Sequence, residues 1–292
     1  MRVTDSMRYL DVRRNLTRIQ RENAKAAETA STGLRVTKPS DDPIASAELA
    51  RLRASLSTAS TQRQVAQTAQ SDADLAESTL AQATELLGRA RELAMQGSND
   101  SLSADDRSAL ANETRSIRTQ LLGLANARGA KGYLFSGSLT STAAFDSNGL
   151  FQGDDVAQSV DVGGSTPTEV SASGAMAFTA AGGRDLFADL DSLANALGAD
   201  NRAGAAAALD NLDQNQRQIT NERSRIGLIA NKLESSGNLL SQLDLDLNKR
   251  QTGVGAADPF EAYSKMTSLG QSLERAITVS RQMLDGNNAW QR

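Results

Sequence analysis

The clearest pattern of hydrophobic and polar residues lies between Ala205 and Arg250. Large aliphatic residues recur there at every seventh position, at Leu212, Ile219, Ile226, Leu233, Leu240 and Leu247, which we call the rod seam. A strict seven-residue apolar repeat keeps one stripe of a helix facing a partner helix. The alternate seam positions are more polar, at Leu209, Gln216, Arg223, Ala230, Gly237 and Asp244. The pattern predicts a helix roughly 70 Å long, which needs a second long helix to pack against.

This second helix is predicted over residues 43–95. With one exception, small or aliphatic residues follow spacings of four or three, at Leu52, Leu56, Ala59, Arg63, Ala66, Ala69, Ala73, Ala76, Leu80, Ala83, Leu87, Ala90 and Ala94. Alanine lets two helix axes approach closely, and the larger side chains of the rod seam fill the remaining space. A third helix is predicted from a capping box at Ser103–Asp106 to about Ala127, and a short fourth one over about 184–197.

Both ends of the chain are predicted to form helices with thinner amphipathic stripes. The first helix runs from residue 1 to about Gly33, which ends it as a C-cap. The last runs from about Asp258 to residue 284. The stripes comprise Val12, Leu16 and Ile19 in the first helix and Tyr263, Met266, Leu273, Ile277 and Leu284 in the last.

A proline-containing segment separates the first helix from the second. Pro39 and Pro43 exclude a continuous helix there. Ser40 or Asp41 is predicted to cap the following helix, whose dipole favours the carboxylates of Asp41 and Asp42. Adjacent aspartates can also suggest a metal or acid–base site, but no third ligand or imidazole stands nearby. Capping is therefore the simpler interpretation.

Helical periodicity disappears between about residues 129 and 183, where Gly, Ser, Thr and Asp dominate. Asn148–Gly149, flanked by Phe145 and Phe151, is typical of a hairpin turn. Alternating residues predict short strands, at Val156, Gln158, Val160 and Val162 and again at Val170, Ala172, Gly174, Met176 and Phe178. So few bulky residues make a marginal core, so the region is predicted to be a small insertion that rests on the helices.

These elements predict a mainly α fold, an elongated helical bundle or coiled-coil rod of N- and C-terminal helices with a small β-rich insertion at mid-chain. We divide the chain into terminal helices at residues 1–42 and 251–292, a helical rod at 43–131 and 184–250, and an insertion at 132–183. The aromatic content of 3% is consistent with thin bundles built from Ala and Leu.

The composition excludes several kinds of chemistry. The chain has no Cys and no His, which removes disulfides, thiol nucleophiles and imidazole-based catalytic sites. Four residues of the insertion hint at calcium, Asp146, Asn148, Asp154 and Asp155, but the EF-hand spacing and its terminal Glu are missing. Residues 129–131 lack the spacing of a nucleotide-binding P-loop. We therefore expect no catalytic residues, no metal and no cofactor.

Charge and hydropathy limit the partners. The net charge is −4, which does not suggest a general nucleic-acid-binding protein. Residues 1–35 carry eight basic and four acidic residues, but the charges are dispersed, so a solvated or partner-facing helix is the simpler interpretation. No apolar run reaches the roughly 20 residues of a membrane span, and residues 1–15 contain no apolar core of a cleavable signal. We expect neither membrane insertion nor nucleic-acid binding.

Three stretches of sequence resemble the flagellin family. They are Ser31–Ala45, with the sequence STGLRVTKPSDDPIA, Leu121–Asn126, with LLGLAN, and Gly132–Gly137, with GYLFSG. Within the family, Pro39, Pro43 and the Tyr-Leu-Phe element are more similar to the subunits that join the flagellar hook to the filament. The resemblance covers about residues 1–137. It also covers residues 200–285, where it lies in the pattern of apolar residues more than in identical sequence motifs.

The resemblance implies an extracellular structural subunit of the bacterial flagellum, secreted by the flagellar type III export apparatus without a cleavable signal. The paired terminal helices would form the inner assembly domain, with the stripe residues named above as its interface. The implied partners are further copies in a ring, another hook-associated protein, the flagellin filament, the export apparatus and an export chaperone. It also implies antiparallel packing of the two long helices, with Arg223 near Asp72 and Asp74.

Two other functions stay open at this point. A short filament flagellin belongs to the same family, although Pro39 and Pro43 argue against it. A cytoplasmic coiled-coil adaptor would explain the seven-residue repeat, but neither the paired hinges nor the insertion. An enzyme has the least support, because no set of carboxylates or serines forms a recognisable constellation.

Overall fold

The computed structural model describes residues 2–163 and 167–289, and in the terminal helices it describes the side chains of Met7 and of residues 10 to 282. The helices are α1 (Arg2–Thr32), α2 (Pro43–Gly97), α3 (Ala104–Ala125), α4 (Gly174–Phe178), α5 (Leu186–Gly198), α6 (Arg202–Gly255) and α7 (Pro259–Ala289). The strands are β1 (Arg128–Gly129), β2 (Gly132–Tyr133), β3 (Ser159–Val160) and β4 (Thr168–Glu169). The predicted mainly α fold is confirmed.

The chain forms two compact units. The first comprises residues 1–57 and 244–292, and the second comprises residues 58–243. Both boundaries fall inside the long helices α2 and α6, where no proline or glycine marks them. The assignment of residues 43–57 and 244–250 to the helical rod stays a prediction.

In the first unit, α1 packs against α7. Gly33 ends α1 with a φ of +68°, a left-handed conformation that glycine adopts without strain. The segments that follow α1 and α6 then pair: the Arg35 amide donates to the Gly255 carbonyl (2.8 Å) and the Ala257 amide donates to the Gly33 carbonyl (2.9 Å). Two main-chain hydrogen bonds therefore join the segment that follows α1 to the segment that follows α6.

In the second unit, α2 and α6 run antiparallel. Arg91 of α2 pairs with Asp213 of α6 (3.0 Å), and fourteen residues earlier on α2, Glu77 pairs with Arg223 (2.5 Å). The buried face of α2 is built mainly from alanine and leucine, as predicted from its spacing, and the rod seam residues of this unit are buried against it. Helix α3 packs against α5 beside this pair.

The antiparallel register was predicted to within about one helical turn, and the structure agrees with it to that tolerance, since Arg223 pairs with Glu77, one turn from Asp74. Glu77 takes the place expected for Asp72 and Asp74, while the Asp72 carboxylate accepts the amide of Ala130 (2.7 Å). The prediction was made by placing the start of α2 opposite the end of α6. Where α2 ends, a Cβ at Gly97 would overlap the Leu197 side chain, so that turn is tightly packed.

The insertion contains less β structure than its alternation suggests. β3 pairs with β4 in antiparallel register, Ser159 with Glu169 and Val160 with Thr168. The second predicted strand, residues 170–178, was wrong, because β4 ends at Glu169 and the chain forms α4 from Gly174. Ser173 caps this helix by accepting the Met176 amide (3.1 Å), a local hydrogen bond that competes with strand pairing.

Four phenylalanines form the core of the insertion. Phe135, Phe145 and Phe178 are buried together with Phe187 of α5. The Phe145 ring lies 5.6 Å from that of Phe178 and 5.3 Å from that of Phe187, both in edge-to-face geometry. Such pairs contribute beyond their buried area. A low overall aromatic content therefore conceals a concentrated aromatic core that joins the insertion to α5.

Candidate assembly surfaces

The hinge motif between α1 and α2 is organised by Asp41. Its carboxylate accepts the ammonium of Lys25 from α1 (2.6 Å) and the amides of Thr37 (3.2 Å) and Lys38 (3.0 Å) from its own loop. The Lys25 hydrogen bond, followed by that from the Lys38 amide, holds the pKa of Asp41 well below its usual range. The aspartate therefore stays ionised at neutral pH and ties the hinge loop to α1.

Asp42, and neither of the predicted residues Ser40 and Asp41, caps α2. Its Oδ1 accepts the Ala45 amide (3.0 Å) at the start of α2, and its Oδ2 accepts Nη1 of Arg35 (2.9 Å). The Ala45 hydrogen bond and then the Arg35 guanidinium lower the pKa of Asp42. Arg35 also donates to the Val254 carbonyl at the end of α6 (3.0 Å). One arginine therefore connects the start of α2 to the end of α6.

The other hinge residues lie at the surface. Pro39, Ser40 and Pro43 are exposed. Pro43 is the first residue of α2, a position where its missing N–H costs no helical hydrogen bond. The alternative cap, Ser40, is not the residue that contacts the first turn of α2, since Asp42 does so. The residues that sequence reasoning missed here are Lys25 and Arg35, whose distance from the aspartates along the chain gave no signal.

The predicted interface residues of the terminal helices fall into two groups. Val12, Leu16 and Ile19 of α1 and Met266, Leu273 and Ile277 of α7 are half-buried within the first unit. Tyr263 is 59% exposed. The side chain of Leu284 lies outside the described residues. An assembly role for these residues stays a proposal, because the single chain already covers part of both stripes.

A groove of about 550 Å³ runs between α1, α7 and the hinge. Buried Ala26 and Ala262 form part of its lining, and charged residues of both signs surround them, including Lys25, Asp41 and Glu261. Two large hydrophobic side chains of the same unit are uncovered: Ile44 in the first turn of α2 and Phe260 in the first turn of α7 are each 85% exposed. A unit with a groove and uncovered apolar side chains has surfaces suited to contacts with other chains.

The six rod seam residues, Leu212, Ile219, Ile226, Leu233, Leu240 and Leu247, are all buried. They form one face of α6 and contribute to packing inside the chain. Among the described residues, no cluster of acidic side chains could hold a metal ion. No helix in the described part of the chain is long and apolar enough to cross a membrane.

Family models match both ends of the chain. The bacterial flagellin N-terminal helical region matches residues 3–140, and the bacterial flagellin C-terminal helical region matches residues 209–285. The matched ranges contain the hinge motif, the rod seam and most of both terminal helices.

A curated relative extends the similarity through the middle of the chain. Flagellar hook-associated protein 3 of Escherichia coli (strain K12) is 35% identical over 283 residues, which cover 88% of this chain and 89% of that protein.

Solved structures share the fold. A Vibrio parahaemolyticus protein assigned as a flagellar hook-associated protein has a TM-score of 0.68 at 23% identity, covering 74% of this chain and 100% of that one. The flagellar junction protein FlgL of Legionella pneumophila has a TM-score of 0.53 at 20% identity, covering 73% and 100%. Flagellin helical regions at both ends and a hook-associated relative aligned over most of the length lead to one conclusion: this chain is a member of the bacterial flagellin family.

Proposed function

We propose that this chain is a structural subunit of the bacterial flagellum that forms the junction between hook and filament. The similarity to flagellar hook-associated protein 3 over most of both chains carries this conclusion. This similarity favours a junction subunit over a filament flagellin and over a cytoplasmic adaptor, since the relative is named for its association with the hook. The chain would act outside the cell, after export without a cleaved signal.

The first unit would supply the contacts with neighbouring subunits. Its terminal helices cover their stripes only in part, and Ile44, Phe260 and Tyr263 are largely exposed to solvent. Burial of apolar surface is the main favourable term in association, so these side chains are where assembly gains most. The stripe residues of α1 and α7 would complete their burial when neighbouring copies pack around them.

The partners follow from this position. Further copies would close a ring, and its two faces would meet another hook-associated protein and the flagellin filament. The export apparatus and an export chaperone would handle the chain before assembly. We propose no enzymatic role, and Asp41 and Asp42, two carboxylates with a lowered pKa, are occupied in hydrogen bonds that hold the hinge.

A deletion of residues 1–33 tests this proposal in cells that lack the native gene. We expect the full chain to restore motility and to label at the hook tip with a specific antibody. The deletion variant should fail in both respects, while the urea unfolding of residues 58–243 stays nearly unchanged, because that unit has its own core. A matched control, Leu228→Ala, removes an exposed leucine of the second unit and should keep motility.

Two outcomes would contradict the proposal. Antibody label along the whole filament, with long filaments formed by the purified chain alone, would identify a filament flagellin. Label confined to the cytoplasm in motile cells would indicate an adaptor. If the deletion variant loses cooperative unfolding of the second unit, the division between folding and assembly is wrong.

A further inference from the structure

The turn at Asn148 and Gly149 combines an unusual sequence with a constrained geometry. It closes the pairing of Phe145 with Phe151, and Gly149 has a φ of +85°. A Cβ at Gly149 would lie 2.7 Å from the Cβ of Phe187, so conformation and space both require glycine here. The full sequence contains a single Asn-Gly pair, and it lies in this turn.

An Asn-Gly pair is chemically labile in water. Asparagine amides are among the thermolabile side chains of proteins, and a following glycine leaves its own backbone nitrogen unshielded because it has no Cβ. Asn148 is exposed, so water reaches it freely. We propose that Asn148 is a site of non-enzymatic modification, by deamidation to aspartate and isoaspartate, and that the folded turn restrains this reaction through Arg118.

The reaction needs only water. The Gly149 nitrogen attacks Cγ of Asn148 and forms a C–N bond, while the Cγ–Nδ2 bond breaks and ammonia leaves with the proton from the Gly149 nitrogen. The cyclic imide is then opened by water. Cleavage at Cγ gives aspartate, and cleavage at the main-chain carbonyl gives isoaspartate, whose backbone passes through Cγ.

Hydrogen bonds inside the turn oppose the first step. The Gly149 amide, which must become the nucleophile, donates to the Asp146 carbonyl (3.0 Å). The Asp146 carboxylate accepts the amides of Asn148 (2.8 Å) and Leu150 (2.9 Å). The Gly149 nitrogen can approach Cγ of Asn148 only when the turn opens, so the population of open turns sets the rate.

Arg118 of α3 holds the turn closed from outside. Its Nη2 donates to the main-chain carbonyl of Asn148 (2.7 Å). The guanidinium is held in place by Asp191, whose Oδ1 lies 2.8 Å from Nε, and by the Phe187 ring, whose centroid is 5.7 Å from Cζ. The carbonyl of Asn148 belongs to the same peptide group as the Gly149 nitrogen, so rotation of that group breaks this bond. Arg118 is therefore a positioning residue for the turn.

Modification would also prevent the turn from closing again. Isoaspartate adds a methylene to the main chain between residues 148 and 149, where Gly149 already packs against Phe187 without space for a Cβ. A chain that has reacted to isoaspartate would therefore carry a permanently altered turn beside the aromatic core.

Mass spectrometry of the full chain tests the proposal. Trypsin releases residues 132–184 as one peptide in which Asn148 is the single asparagine. Fragmentation assigns the mass change from amide to acid to Asn148 and not to Gln152 or Gln158, and electron-transfer fragmentation distinguishes isoaspartate from aspartate. At neutral pH, the folded chain should deamidate at least roughly tenfold more slowly than the chain in urea. Asn148→Ser should abolish the signal.

The role of Arg118 has its own readout. Arg118→Gln should accelerate deamidation of the folded chain by roughly tenfold, the effect of losing one charge-assisted hydrogen bond, and should leave the rate in urea unchanged. Arg118→Lys keeps a charged donor and should stay near the original rate. Arg115→Gln, an exposed arginine on the same helix, is the matched control and should have no effect.

Three other results would contradict the proposal, in whole or in part. Equal rates in the folded chain and in urea would show that the turn gives no protection. An unchanged folded rate for Arg118→Gln would show that Arg118 does not hold the turn. If circular dichroism shows that this variant does not fold, Asp191→Asn, which removes only the support of Arg118, must give a smaller acceleration in the same direction or the proposal fails.

Discussion

Replacing Arg107 by methionine measures what a single buried guanidinium contributes to the second unit. Arg107 lies in the first turn of α3 and is 3% exposed. Its Nε donates to the Gly97 carbonyl at the end of α2 (2.9 Å), its Nη2 donates to the Asn99 carbonyl (2.6 Å), and its Nη1 pairs with Asp200 after α5. One side chain therefore joins both turns at this end of the unit.

The magnitude follows from the exposure of each partner. Gly97 is buried, so its carbonyl loses its partner at a cost of about 1–3 kcal/mol. Asn99 and Asp200 lie at the surface, where water replaces the lost bonds and each costs roughly 1 kcal/mol. Methionine fills most of the vacated volume. We expect a loss of about 3 kcal/mol in the free energy of unfolding, or a Tm lower by roughly 6–12 °C.

Urea unfolding followed by far-ultraviolet circular dichroism is the assay. Arg115→Met removes an exposed arginine of the same helix and should change stability by no more than about 0.5 kcal/mol. Asp200→Asn retains a residue that tolerates the observed φ of 53° and should cost at most about 1 kcal/mol, since its carboxylate is half exposed. If Arg107→Met stays within about 0.5 kcal/mol of the original chain, water reaches the Gly97 carbonyl and the reasoning is refuted.

Three further outcomes are expected. Phe178→Ala should lower the free energy of unfolding by about 3–5 kcal/mol in the same assay, because it empties the centre of the aromatic core. Arg223→Ala should cost at most about 1 kcal/mol, because its pair with Glu77 is partly exposed and screened by water. The Asp41 carboxylate has a lowered pKa, so its hinge contacts are complete above about pH 4 and lost as the pH falls further. The Lys38 amide donates to this carboxylate, so its resonance should shift with this transition in an NMR titration. In Asp41→Asn the shift should be absent.

The helical part of the fold was predictable because its signals are local and repeated. The seven-residue spacing of Leu212, Ile219 and the residues that follow recurs over five intervals, which distinguishes it from a chance match. The capping box at Ser103–Asp106 is present in the structure as predicted. A cap involves residues three positions apart, and such contacts can be read directly from a sequence.

Interactions between distant parts of the chain were not predictable in the same way. Lys25 and Arg35 reach the hinge aspartates from another helix and from the preceding loop, and neither has a sequence signal beyond its charge. Arg107 looked like an ordinary polar residue of a helix start. Its burial depends on two turns that meet only after α2, α3, α5 and α6 have packed.

The packing of α6 shows how this limit arises. The sequence placed Gln216 and Arg223 on the second row of the seam, and both are only half-buried. The buried polar residues are instead Asn215, Gln218 and Glu222. Gln218 and Glu222 contact the segment from Ser173 to Arg184, and Asn215 contacts Asp189 of α5. The position of these elements, which the repeat does not specify, therefore decides which row is covered.

Two of these side chains bind the chain on either side of α4 through specific hydrogen bonds. Glu222 accepts the Ser173 amide (2.7 Å), and Gln218 accepts the Arg184 amide (3.0 Å) while donating to the Thr179 carbonyl (3.0 Å). An apolar repeat alone permits a shift by seven residues, since each shifted position is again apolar. A shift here would leave buried polar groups without partners, which is costly. The polar row therefore fixes the register that the apolar row leaves open, as buried polar residues do in coiled coils.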